Sequence, residues 1–242
     1  MARRRDAIAL GRLTGATQAA SRLDLCRAVA FDLDGTLVAT APDLAAATNA
    51  MLRALGHPAL ALSRVASAIG DGIDALVART LAESAGATPD REALARAGKL
   101  FRELYAERVF EASTVYGGVY EGLEALAARG VPLGCITNKA SAFTRKLLER
   151  SGLARWLSFV KCADAPGQRK PAPFLLLEAC AELGIEAKDL LYVGDSSLDV
   201  QAARAAGCPV VLVDYGYNKG RPAAQAGADA LISSLADLAA GR

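Results

Sequence analysis

The sequence has little of what several common kinds of functional site require. It contains one histidine, His57, among 242 residues, so neither a histidine-rich metal site nor a Ser-His-Asp triad is readily built. His57 lies between Gly56 and Pro58, which predicts a loop position. Five cysteines are scattered along the chain, and none is spaced as Cys-x-x-Cys. We interpret them as reduced thiols, which is typical of a cytoplasmic protein.

An excess of charge and a long apolar run are also missing. The formal net charge is +2, and a balance this close to neutral gives no support to a nucleic-acid partner. No apolar stretch approaches the ~18 residues of a membrane-spanning helix, so we expect no membrane partner either. Hydrophobic residues make up 52% of the chain and charged residues 22%, which favours a sizeable buried core. We expect a folded monomer or homodimer whose partner is a small molecule.

Arginine is concentrated at the start of the chain. Residues 1–27 contain six arginines and only two aspartates, without the long apolar centre of a secretory signal. We predict a mobile basic extension over these residues.

The rest of the sequence divides into two kinds of pattern. Between residues 42 and 114 small and straight-chain residues predominate, which predicts about four helices. In residues 28–41 and 115–242, short apolar strands alternate with helices. That alternation predicts an α/β fold with a Rossmann-like parallel sheet and helices on both of its faces. The helical segment would be an inserted small all-helical cap domain over the carboxyl ends of the strands.

Two aspartates follow the first predicted strand, Ala28 to Phe31. Strand alternation points Asp32 and Asp34 to one face, where two like charges are costly unless a cation or a proton holds them together. The pair therefore indicates a divalent metal site that also offers a nucleophile and an acid/base. Asp-x-Asp-Gly occurs in calcium loops and ordinary turns as well. An EF-hand loop, however, would need an acidic or amide ligand at Thr36 and a glycine at Leu37.

Other polar residues follow later predicted strands. Thr137-Asn138-Lys139 ends the second strand of the sheet, and Asp195 and Ser196 follow the strand Leu190 to Val193. Ligands of parallel sheets bind beyond the carboxyl ends of the strands. We therefore expect these residues to meet the two aspartates in one crevice.

Four segments taken together resemble, in order and in spacing, the motifs of the haloacid dehalogenase superfamily. The resemblance covers nearly everything from Ala28 to about Gly220, and it is strongest toward the phosphoglycolate phosphatases. The four segments are Asp32-Leu33-Asp34-Gly35-Thr36, Thr137-Asn138-Lys139, Lys170-Pro171 and Gly194-Asp195-Ser196-Ser197-Leu198-Asp199. Stretches that indicate the subgroup include Thr40-Ala41-Pro42-Asp43-Leu44, Ile69-Gly70-Asp71-Gly72 and Tyr215-Gly216-Tyr217-Asn218.

The resemblance implies a role for each carboxylate. Asp32 would attack phosphorus and form an aspartyl-phosphate, while Asp34 would protonate the leaving alkoxide and then deprotonate water. Mg²⁺ would be held by the Asp32 side chain, the Asp34 backbone carbonyl and Asp195. Asp199 and Ser196 would order the groups around the metal.

The resemblance also implies groups that bind the phosphate ester. Thr137 would hydrogen-bond a phosphate oxygen, and Lys170 would supply fixed positive charge. Six further residues are predicted to bind substrate, four of them beside the catalytic motifs and two in the cap. They are Gly35, Thr36, Asn138, Lys139, Asp71 and Gly72.

Some positions depart from the pattern of the superfamily. Ala39 stands where an aspartate is common, Ala172 where an aspartate or a histidine is common, and Leu198 where an asparagine is common. Thr40 can still cap the first cap helix, with Asp43 as its acidic partner three residues on. We expect altered loop geometry and substrate preference from these departures, with the catalytic set intact.

The implied function is a Mg²⁺-dependent phosphatase acting on a small phosphate monoester, above all 2-phosphoglycolate, to give glycolate and phosphate. Asp34 favours phosphoryl transfer over halide displacement, because an alcohol leaving group needs a proton donor. A hexose-phosphate mutase and a pyrophosphatase are alternatives within the same superfamily. A non-catalytic regulatory relative is an alternative of another class.

Overall fold

The structure is a computed structural model that describes residues 15–239, apart from the side chain of Pro166. Its elements are a helix over residues 15–23 (α1), followed by β1 Ala28–Phe31, β2 Val38–Ala39, α2 Ala41–Ala54, α3 Leu62–Ser67, α4 Ile73–Ala85, α5 Arg91–Arg108, β3 Thr114–Val115, α6 Val119–Ala128, β4 Leu133–Thr137, α7 Ser141–Arg150, β5 Phe159–Cys162, α8 Phe174–Leu183, β6 Leu190–Gly194, α9 Ser197–Ala206, β7 Val210–Val213, β8 Ala230–Ile232 and α10 Ala236–Ala239.

The centre of the fold is a six-stranded sheet in the order β5-β4-β1-β6-β7-β8. All neighbouring strands are parallel, and Phe31 at the end of β1 stands beside Cys135 on one side and Val193 on the other. Every residue of β1, β4, β6 and β7 is buried, as is usual when helices cover both faces of a parallel sheet. The predicted α/β architecture is confirmed, with β1 at its middle.

The start of the described chain differs from the prediction of a mobile extension over residues 1–27. Residues 15–23 form a helix, and Ala19 and Leu23, one turn apart on it, are buried in the same hydrophobic core as Val29 of β1. The prediction is therefore wrong for this segment, because the spacing of its apolar residues lets one helix face pack on the sheet. Residues 1–14 of the predicted extension lie outside the described residues.

Four helices are inserted between the first strand and the rest of the sheet. They are α2 to α5, and they connect to the sheet through the short antiparallel pair β2–β3, in which Val38 faces Val115. Helix α2 packs on α5, and Met51, Phe101 and Tyr105 are fully buried between the helices and the core. The chain thus enters and leaves the insertion at one short antiparallel pair, and the insertion shares a hydrophobic core with the sheet.

Asp43 fastens that junction and does not cap α2 as predicted. Thr40 is the N-cap residue but makes no side-chain capping bond, and its buried hydroxyl has no partner. The Asp43 carboxylate, 1% exposed, accepts backbone N–H bonds from Glu111 (3.1 Å), Ala112 (2.7 Å) and Ser113 (3.1 Å) and a bond from the Ser113 hydroxyl. The two chain segments that enter and leave the insertion are therefore held together by one carboxylate.

We expect Asp43→Ala to lower the free energy of unfolding by about 2–4 kcal/mol, because hydrogen bonds to a charged group are lost and buried donors are left unpaired. Urea denaturation followed by circular dichroism measures the change. Asp90→Ala is the matched control, since Asp90 is an exposed N-cap that accepts one bond from Ala93 (2.8 Å). Its loss should be about 1 kcal/mol. Equal losses in the two variants would contradict the role given to Asp43.

The structure also shows the state of the cysteines and the position of the single histidine. All five cysteines are free thiols, and His57 lies in the loop after α2. Across residues 15–239, no helix combines the length and the apolar character needed to cross a bilayer.

Candidate active site

The carboxyl ends of β1, β4 and β6 meet at one edge of the sheet. Asp32 follows β1, Thr137 ends β4 and Asp195 follows β6. All three side chains are buried, with exposed fractions of 8%, 1% and 3%. The sequence-based expectation that these residues share one crevice agrees with this placement.

Two glycines leave room for the Asp195 carboxylate. Gly35 has φ +91°, and a Cβ atom there would lie 2.4 Å from Asp195 Oδ2. A Cβ atom on Gly216 would lie 2.2 Å from the Asp195 Cβ. Both distances are far inside van der Waals contact, so the loops after β1 and β7 need glycine at these positions. Gly35, predicted to bind substrate, thus has a clear structural function as well.

Asp195 is oriented by hydrogen bonds from two loops. Its Oδ1 accepts a bond from the Thr36 hydroxyl (3.1 Å), and its Oδ2 accepts one from the Tyr217 backbone N–H (2.5 Å). Thr36 was predicted to contact substrate, and in the structure its hydroxyl is directed at Asp195. The Tyr217 hydroxyl in turn accepts a hydrogen bond from the backbone N–H of Ala41 (2.9 Å), at the start of α2.

Lys170 is the cation of a buried cluster of carboxylates. Its Nζ lies 2.9 Å from Asp32 Oδ2, 2.6 Å from Asp199 Oδ1 and 2.9 Å from the Tyr192 hydroxyl. These three acceptors match the three N–H donors of an ammonium group. The Tyr192 hydroxyl donates a hydrogen bond to the Ile136 carbonyl (2.8 Å). Its oxygen can therefore accept the hydrogen bond from Lys170. The ammonium is therefore fixed beside Asp32.

Asp199 is fully occupied by protein partners. Beyond Lys170, its Oδ2 accepts bonds from the Ser196 backbone N–H (3.0 Å), the Ser196 hydroxyl (2.7 Å) and the Asp195 backbone N–H (3.2 Å). Burial opposes ionisation of Asp199, but Lys170 outweighs it and lowers the pKa of this carboxyl. Asp199 is well placed to orient Lys170 and the Asp195 loop, which is consistent with the ordering role proposed from the sequence for Ser196 and Asp199.

Negative charge exceeds positive charge at this centre. Carboxylate oxygens of Asp32, Asp195 and Asp199 lie within 4.8 Å of one another, with one lysine between two of them. Burial raises the pKa of Asp32 to about 6, even though Lys170 pulls it down. Burial and then the charge of Asp199 raise the pKa of Asp195 well above its ordinary value. Such groups ionise readily only when a further cation is present.

The residues present fit Mg²⁺. Asp32 Oδ1 is buried and has no hydrogen-bond partner, so one oxygen of the central carboxylate is available as a ligand. The donors at this place are all oxygens, which suit a hard divalent cation better than zinc. Asp32, Asp195 and the backbone carbonyl of Asp34 are the groups we propose as its ligands.

We expect the affinity of the protein for Mg²⁺ to fall as the pH is lowered through 6. The Asp32 pKa of about 6 means that below this pH a proton occupies the carboxyl that must bind the metal. The loss should approach about tenfold per pH unit for one competing proton. Isothermal titration calorimetry between pH 5 and 8, in two buffers of different ionisation enthalpy, measures both the affinity and the proton released. An affinity that stays constant over this range would show that Asp32 does not bind the metal.

A second ion pair lies beside the first. Lys139 Nζ is 3.0 Å from Asp34 Oδ1 and 3.1 Å from Oδ2, and it lies over the ring of Tyr105, 4.9 Å from the centroid. Burial opposes the charge on Lys139, but Asp34 outweighs it and raises the pKa of the ammonium. Tyr105 brings a residue of the insertion into contact with this pair.

Asn138 and Asp71, both predicted to bind substrate, have protein partners for their side chains in the structure. The Asn138 side chain accepts from the Lys170 N–H (2.7 Å) and donates to the carbonyls of Lys170 (3.1 Å) and Gly70 (2.9 Å). It thus links two loops of the sheet and the insertion. Asp71 forms ion pairs with Arg79 and with Lys219 (2.8 Å), so its carboxylate is already neutralised and is not free for substrate. Burial acts to raise the pKa of the Asp71 carboxyl, but the two cations outweigh burial and lower this pKa below its ordinary value.

A cavity lies between the insertion and this edge of the sheet. Its floor is polar and its roof, formed by the insertion, is apolar. The floor residues are Asp32, Asp34, Thr137, Asn138 and Lys139, and the roof residues are Leu44, Ile69, Gly70, Gly72, Ile73 and Leu76. A small ligand with one anionic end fits this division. Gly72 is part of this lining, and Asp71 is not.

Sequence reasoning missed Tyr192 and Tyr105. Tyr192 lies within the apolar strand β6, and the one polar atom in that buried run is the signal that could have identified it. Tyr105 lies on α5, and its contact with Lys139 joins positions far apart in the chain. No local pattern indicates such a contact.

The fold and the site define a class of hydrolases, in which a parallel α/β sheet presents reactive carboxylates at the end of its first strand. The comparisons with known proteins agree. The family described as haloacid dehalogenase-like hydrolase matches residues 29–213. This chain belongs to that family.

Individual relatives cover most of the chain. The phosphoglycolate phosphatase of Thiobacillus denitrificans is 45% identical over 213 residues, which are 88% of this chain and 94% of that protein. The phosphoglycolate phosphatase of Nitrosospira multiformis is 46% identical over 209 residues, 86% of this chain and 92% of the other. The crystal structure of a predicted phosphoglycolate phosphatase from Haemophilus somnus 129PT superposes with a TM-score of 0.84 at 33% identity, covering 88% of this chain and 96% of that one.

Proposed function

We propose that this protein is a cytoplasmic, Mg²⁺-dependent phosphatase that hydrolyses 2-phosphoglycolate to glycolate and phosphate. One observation carries the proposal above the others. Asp32 is buried at the floor of the cavity, its Oδ1 has no hydrogen-bond partner, and Lys170 lies 2.9 Å from its other oxygen. The names of the relatives at 45% and 46% identity support the substrate.

In the proposed reaction Asp32 is the nucleophile. Its carboxylate oxygen forms a bond to phosphorus as the bond from phosphorus to the ester oxygen breaks, which gives an aspartyl-phosphate and an alkoxide. Asp34 gives a proton to that alkoxide and releases glycolate. Asp34 then takes a proton from a water molecule, whose oxygen attacks the phosphorus and frees phosphate and Asp32.

Other residues bind and orient the phosphoryl group. Lys170 places fixed positive charge beside Asp32 and the transferring group, and Thr137 at the end of β4 is placed to hydrogen-bond a phosphate oxygen. Bound Mg²⁺ would neutralise charge on Asp32 and on the phosphate oxygens. The insertion excludes water from the cavity while substrate is bound.

The proposal is tested by phosphate release from a panel of esters, with Mg²⁺ and with a chelator. The panel contains 2-phosphoglycolate, hexose phosphates, nucleotides and pyrophosphate. Mg²⁺-dependent release that is highest for 2-phosphoglycolate is the expected result. Highest release from pyrophosphate or from another ester would reject the substrate, and no release from any of them would favour a mutase or a non-catalytic protein.

A further inference from the structure

Lys139 is the one cation among the described residues that line the cavity. The other floor residues are two aspartates, a threonine and an asparagine. The roof offers only aliphatic side chains and glycines, of which Leu44, Ile69 and Leu76 are buried. A ligand in this cavity therefore meets one positive charge from the cavity lining, in addition to the groups that bind its phosphoryl group.

The position of that charge relative to Asp34 restricts what it can bind. Lys139 Nζ touches both oxygens of Asp34, at 3.0 and 3.1 Å. In the proposed reaction Asp34 reaches the ester oxygen of the substrate. In a phosphorylated 2-hydroxy acid the carboxylate carbon is two bonds from this oxygen, so an ammonium that touches Asp34 can touch the carboxylate too. An ammonium has three N–H donors, and at most two are used on Asp34.

The surroundings make this contact strong. The Lys139 side chain is 3% exposed, and the ring of Tyr105 covers it at 4.9 Å. A charge pair away from water is much stronger than the same pair in solvent. The side chains of the roof offer no donor or acceptor for the hydroxyl groups of a sugar, and a hydroxyl group packed against them would lose hydrogen bonds.

We propose that Lys139 determines substrate specificity by binding the substrate carboxylate, so that the site selects phosphate monoesters of small 2-hydroxy carboxylic acids over esters of neutral alcohols. The inference rests on the proposed function and specifies it. In this assignment the ammonium of Lys139 contacts the carboxylate of the substrate and not its phosphoryl group.

The test compares 2-phosphoglycolate with 2-hydroxyethyl phosphate, in which a hydroxymethyl group replaces the carboxylate. The value of kcat/KM is measured for both esters with the wild type, Lys139→Met and Lys139→Arg. We expect the wild type to prefer 2-phosphoglycolate and the preference to fall by about 100-fold in Lys139→Met, since a buried charge pair loses one partner. Lys139→Arg should recover part of it. Lys188→Met, an exposed lysine in the segment before β6, is the control and should keep the wild-type preference.

Because Lys139 also touches Asp34, a loss of rate alone is not decisive. Binding of the two esters to Asp32→Asn and to the double variant Asp32→Asn/Lys139→Met separates recognition from chemistry. The first protein should bind 2-phosphoglycolate more tightly than 2-hydroxyethyl phosphate, and the second should not. An unchanged preference in both measurements would overturn the inference, and Lys139 would then act on Asp34 alone.

The hydrolysis rates of the wild type distinguish failure of this inference from failure of the proposed function. If the wild type hydrolyses 2-hydroxyethyl phosphate with the same kcat/KM as 2-phosphoglycolate, the specificity inference is wrong, but the protein is still a phosphatase. If the wild type hydrolyses neither ester, the proposed function fails and the inference fails with it.

Discussion

Asp32→Asn is expected to reduce Mg²⁺-dependent phosphate release by at least about 10⁴-fold, because an amide lacks the nucleophilic oxygen on which a covalent mechanism depends. The substitution preserves shape, and Lys170 keeps two of its three acceptors, Asp199 and Tyr192. Phosphate release from 2-phosphoglycolate at saturating Mg²⁺ measures the effect.

The stability of the same variant distinguishes lost chemistry from lost folding. Burial raises the Asp32 pKa to about 6, above its ordinary value, so ionised Asp32 destabilises the metal-free fold, and this cost is present above pH 6 and disappears as the pH falls toward 4. A neutral Asn avoids that cost. Asp32→Asn without metal should therefore unfold at pH 8 at an equal or higher urea concentration than the wild type. Activity within tenfold of the wild type would exclude Asp32 as the nucleophile.

Exposed carboxylates provide the control for this result. Asp24 lies on the surface in an ion pair with Arg129, outside the cavity. Asp24→Asn should keep the wild-type rate, because an exposed ion pair contributes at most about 1 kcal/mol and touches nothing in the site.

The placement of residues at the ends of strands could be predicted from the sequence. The alternation of a strand places Asp32 and Asp34, and the end of a buried strand places Thr137 and Asp195. These arguments need only a few neighbouring residues and the rule that parallel strands end at one edge. They were sufficient for the fold class and for the crevice.

The partners of polar side chains could not be predicted in the same way. Asp43 fits a capping box by local spacing, and only the return of the chain at Ser113 gives its carboxylate better donors. Asp71 meets Lys219, 148 positions further along the chain. Such contacts depend on how the insertion sits on the sheet, and sequence spacing has no information about that.

The packing function of a glycine could not be predicted for a related reason. Helix α6, Val119–Ala128, follows directly after Gly117 and Gly118. In the structure Gly118 adopts φ +82° before the helix begins, and Gly122 lies within it against the backbone of Leu235, so close that a Cβ atom would be 2.8 Å away. Both glycines serve packing here, which their local sequence does not indicate.

Lys170→Met is expected to lower kcat by about 10³-fold, because fixed positive charge beside the nucleophile and the transferring phosphoryl group is lost. It should also lower the free energy of unfolding at pH 8 by about 3–5 kcal/mol, since two buried carboxylates, Asp32 and Asp199, lose their shared cation. Stopped assays of phosphate release and urea denaturation measure the two effects.

The pH dependence shows whether Lys170 acts on Asp32 or only supports the fold. In the wild type Lys170 opposes the effect of burial and lowers the Asp32 pKa. Without this lysine the pKa should rise further above 6, so the pH at which the metal-bound enzyme loses activity on acidification should move upward. Lys170→Arg keeps the charge, but its larger group must fit a side-chain site that is 2% exposed, and we expect only partial recovery of the rate. A lower rate with an unchanged pH profile would mean that Lys170 supports the packing around Asp199 and does not tune the nucleophile.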